Sequence, residues 1–304
     1  MSFEITILGC GSASPTSLRN PSSQFLSVQG NSFLIDCGEG TQIQLRKYKI
    51  SMQKIQHIFI SHLHGDHFFG LPGLLSTFHL LGRTNDLNIY APSGLKLLLD
   101  SVFKASKTYL NFQLNHHSLN FDAPELIFQN KKLEIHSFPM RHSIEVCGFK
   151  FSEKPKLRKI NRSATDAFEV PHYFMNSLKE GADFIKDDGQ IVINKKLTFD
   201  ADLSKSYAYC SDTAYFPKIC QMIKDVDFLY HEATFANDMQ KLANKTKHST
   251  AEQAARIASE AMVKNLIIGH FSARYVNHDL LLREAQLVFK NCRAAEDGLK
   301  IIFL

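Results

Sequence analysis

Seven residues decide the fold of this chain, Ser61-His62-Leu63-His64-Gly65-Asp66-His67, and they follow directly on the apolar run Ile55–Ile60. Side chains two residues apart in an extended segment point the same way, so His62 and His64 can hold one metal ion. Gly65 permits a sharp turn, after which Asp66 and His67 can hold a second ion. Imidazole and carboxylate ligands together favour zinc, with manganese or iron as alternatives. Four ligand-type residues within residues 62–67 argue against a polar loop that is rich in histidine by chance.

Strand-like apolar runs alternate with helical patterns along the chain, which predicts a layered α/β fold. The predicted strands cover Ile5–Leu8, Gln24–Val28, Phe33–Ile35, Ile55–Ile60, Leu87–Tyr90, Leu133–Phe138, Tyr207–Cys210, Phe228–Tyr230, Leu266–Ile268 and Leu299–Phe303. The predicted helices cover Leu71–Leu81, Gly94–Ser106, Ala251–Val263 and Asp279–Phe289. Ser249 or Thr250 is expected to cap the third of these helices.

Composition restricts the class of protein further. The chain has 304 residues, of which 44% are hydrophobic and 21% charged, and this excludes a disordered or low-complexity protein. No apolar run approaches the roughly 18 residues of a membrane span, and residues 1–12 lack the basic start of a signal peptide. Six scattered cysteines without a Cys-x-x-Cys pair indicate a reduced, cytoplasmic protein. The net charge of +5 mildly favours an anionic partner.

A two-ion site needs more ligands than residues 62–67 supply. Open α/β sheets place their ligands just beyond the carboxyl ends of strands, and three further candidates stand there. His142 follows the run Leu133–Phe138, Asp212 follows Tyr207–Cys210, and His270 follows Leu266–Ile268. A lone residue of this kind is more often a cap or a surface residue, but the three share one topological position. Asp212 is suited to bridge two ions because a carboxylate has two oxygens.

Further motifs make the chain similar to a known family. Residues 33–42 read Phe-Leu-Ile-Asp-Cys-Gly-Glu-Gly-Thr-Gln, residues 231–235 read His-Glu-Ala-Thr-Phe, and residues 248–250 read His-Ser-Thr. Residues 211–213 read Ser-Asp-Thr, which matches a Gly-Asp-Thr motif at two of three positions. With the ligand pattern above, these motifs resemble the ribonuclease Z family of tRNA 3′-processing endonucleases, in the metallo-β-lactamase superfamily. Small-molecule hydrolases of the superfamily generally lack the His-Glu-Ala-Thr and His-Ser-Thr motifs.

The resemblance implies a four-layer αββα metallo-β-lactamase sandwich, a single α/β domain over residues 1–304, with two zinc ions per subunit at one edge. It implies that one ion is held by His62, His64 and His142, that the other is held by Asp66, His67 and His270, and that Asp212 bridges them.

The resemblance also assigns proton transfer. Asp66 is the implied proton acceptor as well as a ligand, and His248, oriented and kept charged by Glu232, is the candidate proton donor. In the alternative interpretation, His248 is a packing residue before the next helix and Glu232 caps a strand end. Asp36 is expected to support the site rather than to bind metal.

Residues 150–200 show less hydrophobic periodicity than the rest of the chain, and we interpret them as an inserted arm rather than a second domain. Their first part carries a basic cluster of Lys150, Lys154, Lys156, Arg158, Lys159 and Arg162. The resemblance implies a tRNA-binding arm at this place, so Lys154, Lys156, Arg158 and Lys159 are candidate phosphate contacts. An ordinary solvated basic loop is the alternative. The chain reads Val-Pro-His-Tyr over residues 170–173, where the family's arm often reads Pro-Pro-Gly-Pro.

Residues 15–20, Pro-Thr-Ser-Leu-Arg-Asn, resemble the family's Pro-x-Lys-x-Arg-Asn loop, which senses the tRNA 3′ end. Ser17 stands at the usual lysine, and Arg19 and Asn20 are the candidate substrate-binding residues. The resemblance implies precursor tRNA as the substrate, a homodimer, and no membrane partner. Two alternatives stay open: a small-molecule metallohydrolase, such as a cyclic phosphodiesterase or a thioesterase, and a non-catalytic RNA-binding protein.

Overall fold

A computed structural model describes residues 3–303, so Met1, Ser2 and Leu304, at the ends of the expected 1–304 domain, lie outside the described residues. In chain order the strands are β1 (Phe3–Gly9), β2 (Ser23–Val28), β3 (Asn31–Ile35), β4 (Ile55–Phe59), β5 (Leu87–Ala91), β6 (Leu114–Ser118), β7 (Glu125–Gln129), β8 (Leu133–Pro139), β9 (Cys147–Glu153), β10 (Lys159–Ile160), β11 (Phe184–Ile185), β12 (Ile191–Val192), β13 (Thr198–Phe199), β14 (Ser206–Cys210), β15 (Phe228–Glu232), β16 (Asn265–Gly269), β17 (Cys292–Ala294) and β18 (Lys300–Phe303).

The α-helices are α1 (Thr41–Lys47), α2 (Gly65–Phe68), α3 (Leu71–Leu80), α4 (Gly94–Ala105), α5 (Arg162–Ala167), α6 (Met175–Lys179), α7 (Asn194–Leu197), α8 (Gln240–Thr246), α9 (Ala251–Glu260) and α10 (Asp279–Val288). The four helices predicted from periodicity are α3, α4, α9 and α10. Thr250 caps α9 through a reciprocal pair of hydrogen bonds with Gln253, so of the two expected caps, Ser249 and Thr250, it is Thr250 that forms this capping box.

Within residues 3–303, two seven-stranded sheets carry the fold, with strand orders β18-β1-β2-β3-β4-β5-β6 and β17-β16-β15-β14-β9-β8-β7. Strands β3 to β6 are parallel neighbours in the first sheet. Strands β14 to β17 are parallel neighbours in the second. Each parallel set therefore brings its carboxyl ends to one edge of its sheet, which is where α/β sheets build ligand sites.

The sheets pack face to face because alternate residues of a strand enter different apolar clusters. Phe33 and Ile35 of β3 join a core that also contains Phe149 and Phe151 of the second sheet. Leu34, between them, joins a separate core with residues of α1, α3 and α4. Helices α9 and α10 pack against β15, β16 and β17. The order helix, sheet, sheet, helix is the predicted four-layer αββα sandwich.

Strands that the sequence did not reveal lie mainly at sheet edges. β6 and β7 are edge strands of the two sheets, and their sequences Leu-Asn-His-His-Ser and Glu-Leu-Ile-Phe-Gln carry few buried side chains. An edge strand needs no continuous apolar pattern because it is covered on fewer sides. β9 was also missed, and it contains Lys150, so the basic cluster begins within the sandwich.

Residues 153–204 form a compact unit of their own. Its small core consists of Val170, Met175, Leu178, Phe184, Val192 and Leu197, all buried. Two short antiparallel pairs, β10 with β13 and β11 with β12, and three short helices complete it. This segment is therefore more structured than its weak periodicity suggests, because each of its elements is too short to repeat a pattern.

Glycines allow the segments around residues 61–67 to approach one another closely. A Cβ on Gly38 would lie 2.4 Å from the Asp66 carbonyl oxygen, and a Cβ on Gly70 would lie 2.1 Å from the Gly38 carbonyl oxygen. The Gly70 amide also donates a 2.9 Å hydrogen bond to the Cys37 carbonyl. The turn after β3 thus rests on the backbone of the histidine motif, with no room for side chains between them.

Two glycines near the start of α3 give a matched prediction. Gly70→Ala should lower the free energy of unfolding by about 1–3 kcal/mol, because the new methyl group meets backbone. Gly73→Ala should raise it by about 0.5–1 kcal/mol, since its Cβ would lie 3.6 Å from the Gln42 side chain and alanine favours a helix interior. Urea denaturation of both variants measures the two changes. Equal effects of the two substitutions would contradict this packing.

Candidate metal centre

Three residues at the strand ends adopt a left-handed backbone conformation that residues other than glycine rarely adopt. Asp36 after β3, Asp212 after β14 and His270 after β16 have φ angles of 54°, 53° and 57°. Such conformations cost of order 1–3 kcal/mol and persist where the surrounding structure enforces them. Here each one turns a polar side chain from the end of a strand into a shared site. The strain is thus located where the candidate ligands lie.

The first group of ligand atoms comes from both sheets. His62, His64, His142 and Asp212 each offer an atom, and these atoms all lie within 4.8 Å of one another. His64 Nδ1 lies 3.1 Å from His62 Nε2 and 3.2 Å from His142 Nε2. Asp212 Oδ2 lies 3.6 Å from His62 Nε2 and 3.7 Å from His142 Nε2. The structure therefore brings His142, which is distant in sequence, to the histidine motif.

The second group consists of Asp66, His67 and His270. The Nε2 atoms of His67 and His270 each lie 3.5 Å from Asp66 Oδ2. Both Nε2 atoms also lie 3.0 Å from Asp212 Oδ1. Since Asp212 Oδ2 faces the first group and Oδ1 faces the second, this carboxylate stands between the two groups in the position of a bridge.

The chemistry of these atoms fits bound cations. His67 Nε2 and His270 Nε2 are buried without a partner in hydrogen-bond geometry, although a buried polar atom normally has one. Burial lowers the pKa of His62 to about 4, so its ring is neutral and can bind a metal at neutral pH. Burial alone would also lower the pKa of His67, but nearby carboxylates, led by Asp212, raise it well above its ordinary value. The pocket therefore attracts positive charge.

Asp36 supports the site from behind. Its Oδ2 atom lies 2.7 Å from His67 Nδ1 and accepts hydrogen bonds from the hydroxyls of Ser61 and Tyr209 at 3.0 and 2.7 Å. Its Oδ1 atom accepts the Ser61 amide at 2.8 Å. The contact between Asp36 Oδ2 and His67 Nδ1 keeps a proton on Nδ1 and leaves Nε2 to face the ligand group. Asp36 is a supporting carboxylate and belongs to neither ligand group.

His248 and Glu232 form a close pair beside the ligand groups. His248 Nδ1 lies 2.9 Å from Glu232 Oε1, and the Glu232 side chain is fully buried. Burial alone would lower the pKa of His248, but the charge of Glu232 and its hydrogen bond raise that pKa to about 9. The imidazole is therefore protonated at neutral pH. Its ring centroid lies 5.0 Å from that of His142 and 5.5 Å from that of His270.

Thr234 connects this pair to the ligands, a role that sequence reasoning missed. Its hydroxyl donates to Glu232 Oε2 at 2.6 Å and lies 3.0 Å from His270 Nδ1. With Nδ1 protonated and donating to the hydroxyl, His270 presents Nε2 to the ligand group. The Lys247 carbonyl does the same for His142, at 2.9 Å from its Nδ1 atom. Thr234 stands in the His-Glu-Ala-Thr motif, but its partner His270 is 36 residues away.

A cavity of about 580 Å³ opens onto these groups. Its lining residues include His64, Asp66, His142, Asp212 and His248. The Ala13 amide, in the loop that forms another part of the lining, donates a 2.8 Å hydrogen bond to Asp66 Oδ2. Ligand atoms from both groups and the His248 imidazole are thus accessible from one opening.

Arg19 and Asn20, the candidate substrate-binding residues of the loop 15–20, do not point toward the cavity. Arg19 is only 8% exposed; its guanidinium donates to the Tyr275 carbonyl and lies 5.7 Å from the centre of the Phe271 ring. The amide and side chain of Asn20 both donate to Asp297 Oδ2 at 2.8 Å. These contacts hold the loop in place and leave neither group turned toward the cavity that holds the ligand groups.

Three of the candidate phosphate contacts in the unit 153–204 have acidic partners within that unit. Lys156 Nζ lies 2.7 Å from Glu153, Arg158 Nη1 lies 2.6 Å from Asp200, and Lys159 Nζ lies 2.5 Å from Asp202. The Lys154 carbonyl accepts a hydrogen bond from Ser204. Lys159, Asp200 and Asp202 are well exposed, so the ion pairs of Arg158 and Lys159 are weak and exchangeable.

Comparison with known proteins shows the family to which the chain belongs. Ribonuclease Z of Phocaeicola vulgatus is 47% identical over 299 residues, which cover 98% of this chain and 97% of that protein. Ribonuclease Z of Bacteroides thetaiotaomicron is 46% identical, with 98% and 95% covered. The chain belongs to the ribonuclease Z family. A family model described as "Anti-Pycsar protein Apyc1" also matches residues 3–292, so the chain falls within that family model as well.

Solved structures agree with this family assignment. The short form of human tRNase Z has a TM-score of 0.72 and 27% identity, with 98% of each chain covered. The metallo-β-lactamase fold protein YhfI from Bacillus subtilis has a TM-score of 0.70 at 18% identity over the whole of both chains, a likeness of fold alone. The predicted metallo-β-lactamase fold of this ribonuclease Z family member is confirmed. In residues 3–303, no helix has the length and apolar character of a membrane span.

Removing the Thr234 hydroxyl should weaken metal binding. Thr234→Val keeps the shape of the side chain but takes away the acceptor for His270 Nδ1, and losses of this kind cost about 10–100-fold in metal affinity. Thr234→Ser keeps the hydroxyl and should bind metal within about 3-fold of the original chain. Titration of the metal-free protein with zinc against a chromophoric chelator measures both. Unchanged affinity in Thr234→Val would contradict the role of this hydroxyl.

Proposed function

We propose that this chain is an endoribonuclease that removes the 3′ trailer from precursor tRNA, leaving a 3′-hydroxyl on the tRNA and a 5′-phosphate on the trailer. The observation that carries the proposal is the shared cavity, in which two ligand groups joined by Asp212 lie beside the His248–Glu232 pair. The relatives named ribonuclease Z and the human tRNase Z structure support this substrate class. They do not favour the small-molecule metallohydrolase.

Two zinc ions per subunit are the proposed cofactor. His62, His64 and His142 would hold one, Asp66, His67 and His270 the other, and Asp212 would bridge them. The mixture of imidazole and carboxylate donors suits zinc best. When bound, such a pair of ions lowers the pKa of water to about 7 and stabilises the charge of an attacked phosphodiester.

Asp66 is the proposed proton acceptor. As the oxygen of a water molecule bonds to phosphorus, its proton passes to the Asp66 carboxylate. Burial would raise the pKa of Asp66, but the positive charge of His67 beside it holds that pKa well below its ordinary value. The group is therefore a carboxylate at neutral pH, and the Ala13 amide fixes its orientation.

His248 is the proposed proton donor. The bond between phosphorus and the 3′-oxygen breaks as the His248 imidazolium transfers its proton to that oxygen. Glu232 keeps this proton available, because its negative charge raises the pKa of His248 to about 9. Glu232 is itself held by the Thr213 and Ser249 amides at 2.8 and 3.1 Å, so the orientation of the pair is set before substrate binds.

Residues 150–200 are the proposed tRNA-binding arm. Arg158 and Lys159 are paired with exposed carboxylates, and both can exchange these partners for RNA phosphates, with Lys154 and Lys156 beside them in sequence. Arg19 and Asn20 act, in this proposal, by shaping the loop near the RNA 3′ end rather than by direct contact.

A homodimer in the cytoplasm is the proposed assembly and location, with one subunit's arm helping to bind tRNA cut by the other. The dimer is proposed from the family resemblance alone. The cysteines of the chain, all six within residues 3–303, are unpaired, which supports a reducing compartment.

Cleavage of one precursor tRNA tests the function. The purified protein should cut at the start of the 3′ trailer, and a chelator should abolish the cut. Asp66→Ala should lower kcat by about 1,000-fold or more, because a ligand and the proton acceptor are both lost, while the Kd for the RNA stays within about 3-fold. Mapping of the product ends and a filter-binding assay measure these effects.

The matched control is Asp100→Ala, which removes an exposed carboxylate paired with Lys96 on α4. Rapid turnover of a small phosphodiester without cleavage of precursor tRNA would reject the proposed substrate. Full activity in Asp66→Ala would reject the mechanism.

The proton donor can be tested through the leaving group. His248→Ala should lower kcat on precursor tRNA by about 100- to 10,000-fold, as expected for loss of a general acid. A substrate with sulfur in place of the bridging 3′-oxygen should restore most of that rate, because a thiolate leaves without a proton. His117→Ala, on the exposed edge strand β6, is the control. Equal defects on the oxygen and sulfur substrates would show that His248 is not the proton donor.

A further inference from the structure

Phe69 is an exposed aromatic residue at the opening of the cavity. Its side chain is 65% exposed, and it lines the cavity together with the ligands His64, Asp66 and Asp212. Burial of an aromatic ring stabilises a fold, so a ring this exposed contributes little to packing. Its position beside the ligand groups calls for another explanation.

The ring lies directly against the backbone of the histidine motif. A Cβ on Gly65 would lie 2.2 Å from a Phe69 ring carbon, with two further ring carbons within 2.7 Å. Any side chain at this position would therefore displace the ring. Since Gly65 stands between His64 and Asp66, the ring is placed next to residues of both ligand groups.

The surrounding backbone holds the ring in this position. The Phe69 amide donates to the Gly65 carbonyl at 2.9 Å, and the ring packs edge-on against Phe68, with centroids 4.8 Å apart. Phe68 is 7% exposed and belongs to the core with α3. The adjacent Gly70 is fixed on the Cys37 carbonyl. The ring is thus held on a buried support before any ligand arrives.

We propose that Phe69 stacks on the unpaired nucleobase that flanks the scissile phosphate. This inference rests on the proposed function. An RNA whose phosphate reaches the ligand groups carries a base on either side of it, and the exposed ring is the aromatic surface at that opening. Stacking on an aromatic ring tolerates any base, because every base has a π-face. Phe69 would thereby align the chain so that the phosphate meets Asp66 and His248.

Substitution of Phe69 and removal of the base should have the same effect. Phe69→Leu should lower kcat/KM on precursor tRNA about 10-fold, within the range of base–aromatic stacking, and Phe69→Trp should stay within about 3-fold. An abasic nucleotide on one side of the cut should cost the original chain about 10-fold and cost Phe69→Leu little more. Leu287→Ala, at an 87% exposed position of α10, is the control.

Independent, multiplying effects of Phe69→Leu and the abasic nucleotide would overturn the proposal. So would a change of sedimentation coefficient in Phe69→Leu, because the ring would then be a contact between copies of this chain.

Fluorescence of 2-aminopurine next to the cut gives a readout that does not need cleavage. The fluorescence should be quenched on binding to Asp66→Ala and recover in the Asp66→Ala, Phe69→Leu double variant. Failure of the original chain to cleave precursor tRNA would reject the proposed function. Quenching that persists in the Asp66→Ala, Phe69→Leu double variant would instead overturn the stacking proposal alone.

Discussion

The Asp212 carboxylate is the interaction on which the rest of the site depends. It stands at the end of β14 in a left-handed conformation, and each of its oxygens faces a different ligand group. Each group combines residues from both sheets: His62 and His64 of the first sheet with His142 of the second, and Asp66 and His67 of the first sheet with His270 of the second. The site therefore forms only when the edges of both sheets meet at this one carboxylate.

Hydrogen-bond acceptors behind the candidate ligand histidines fix the orientation of their rings. Asp36, Thr234 and the Lys247 carbonyl each accept a hydrogen bond from one ring nitrogen of a candidate ligand histidine and leave the other nitrogen to face the ligand groups. Thr234 also contacts Glu232, which orients His248. The candidate ligand His270 and the proposed proton donor His248 are therefore parts of one hydrogen-bonded network through Thr234 and Glu232, in which a change at one member moves the others.

The sequence predicts those parts of this site that depend on local pattern. His62, His64, Asp66 and His67 follow from spacing after one strand, and His142, Asp212 and His270 from the rule that open α/β sheets place ligands just beyond the carboxyl ends of strands. Thr234 was missed as a supporting residue because its role depends on a contact 36 residues away.

Polar edge strands such as β6 were not predicted because few of their side chains are buried, so their sequences show no apolar pattern. Arg19 shows a further limit. A motif supplies the guanidinium, but only the packing on Phe271 and Tyr275 decides where it points.

Metal stoichiometry tests the central claim most directly. Mass spectrometry of the purified chain should find two metal ions per subunit, and Asp212→Ala should lose at least one of them because both groups lose a shared oxygen donor. Two ions retained in Asp212→Ala, or a single ion in the original chain, would contradict the account.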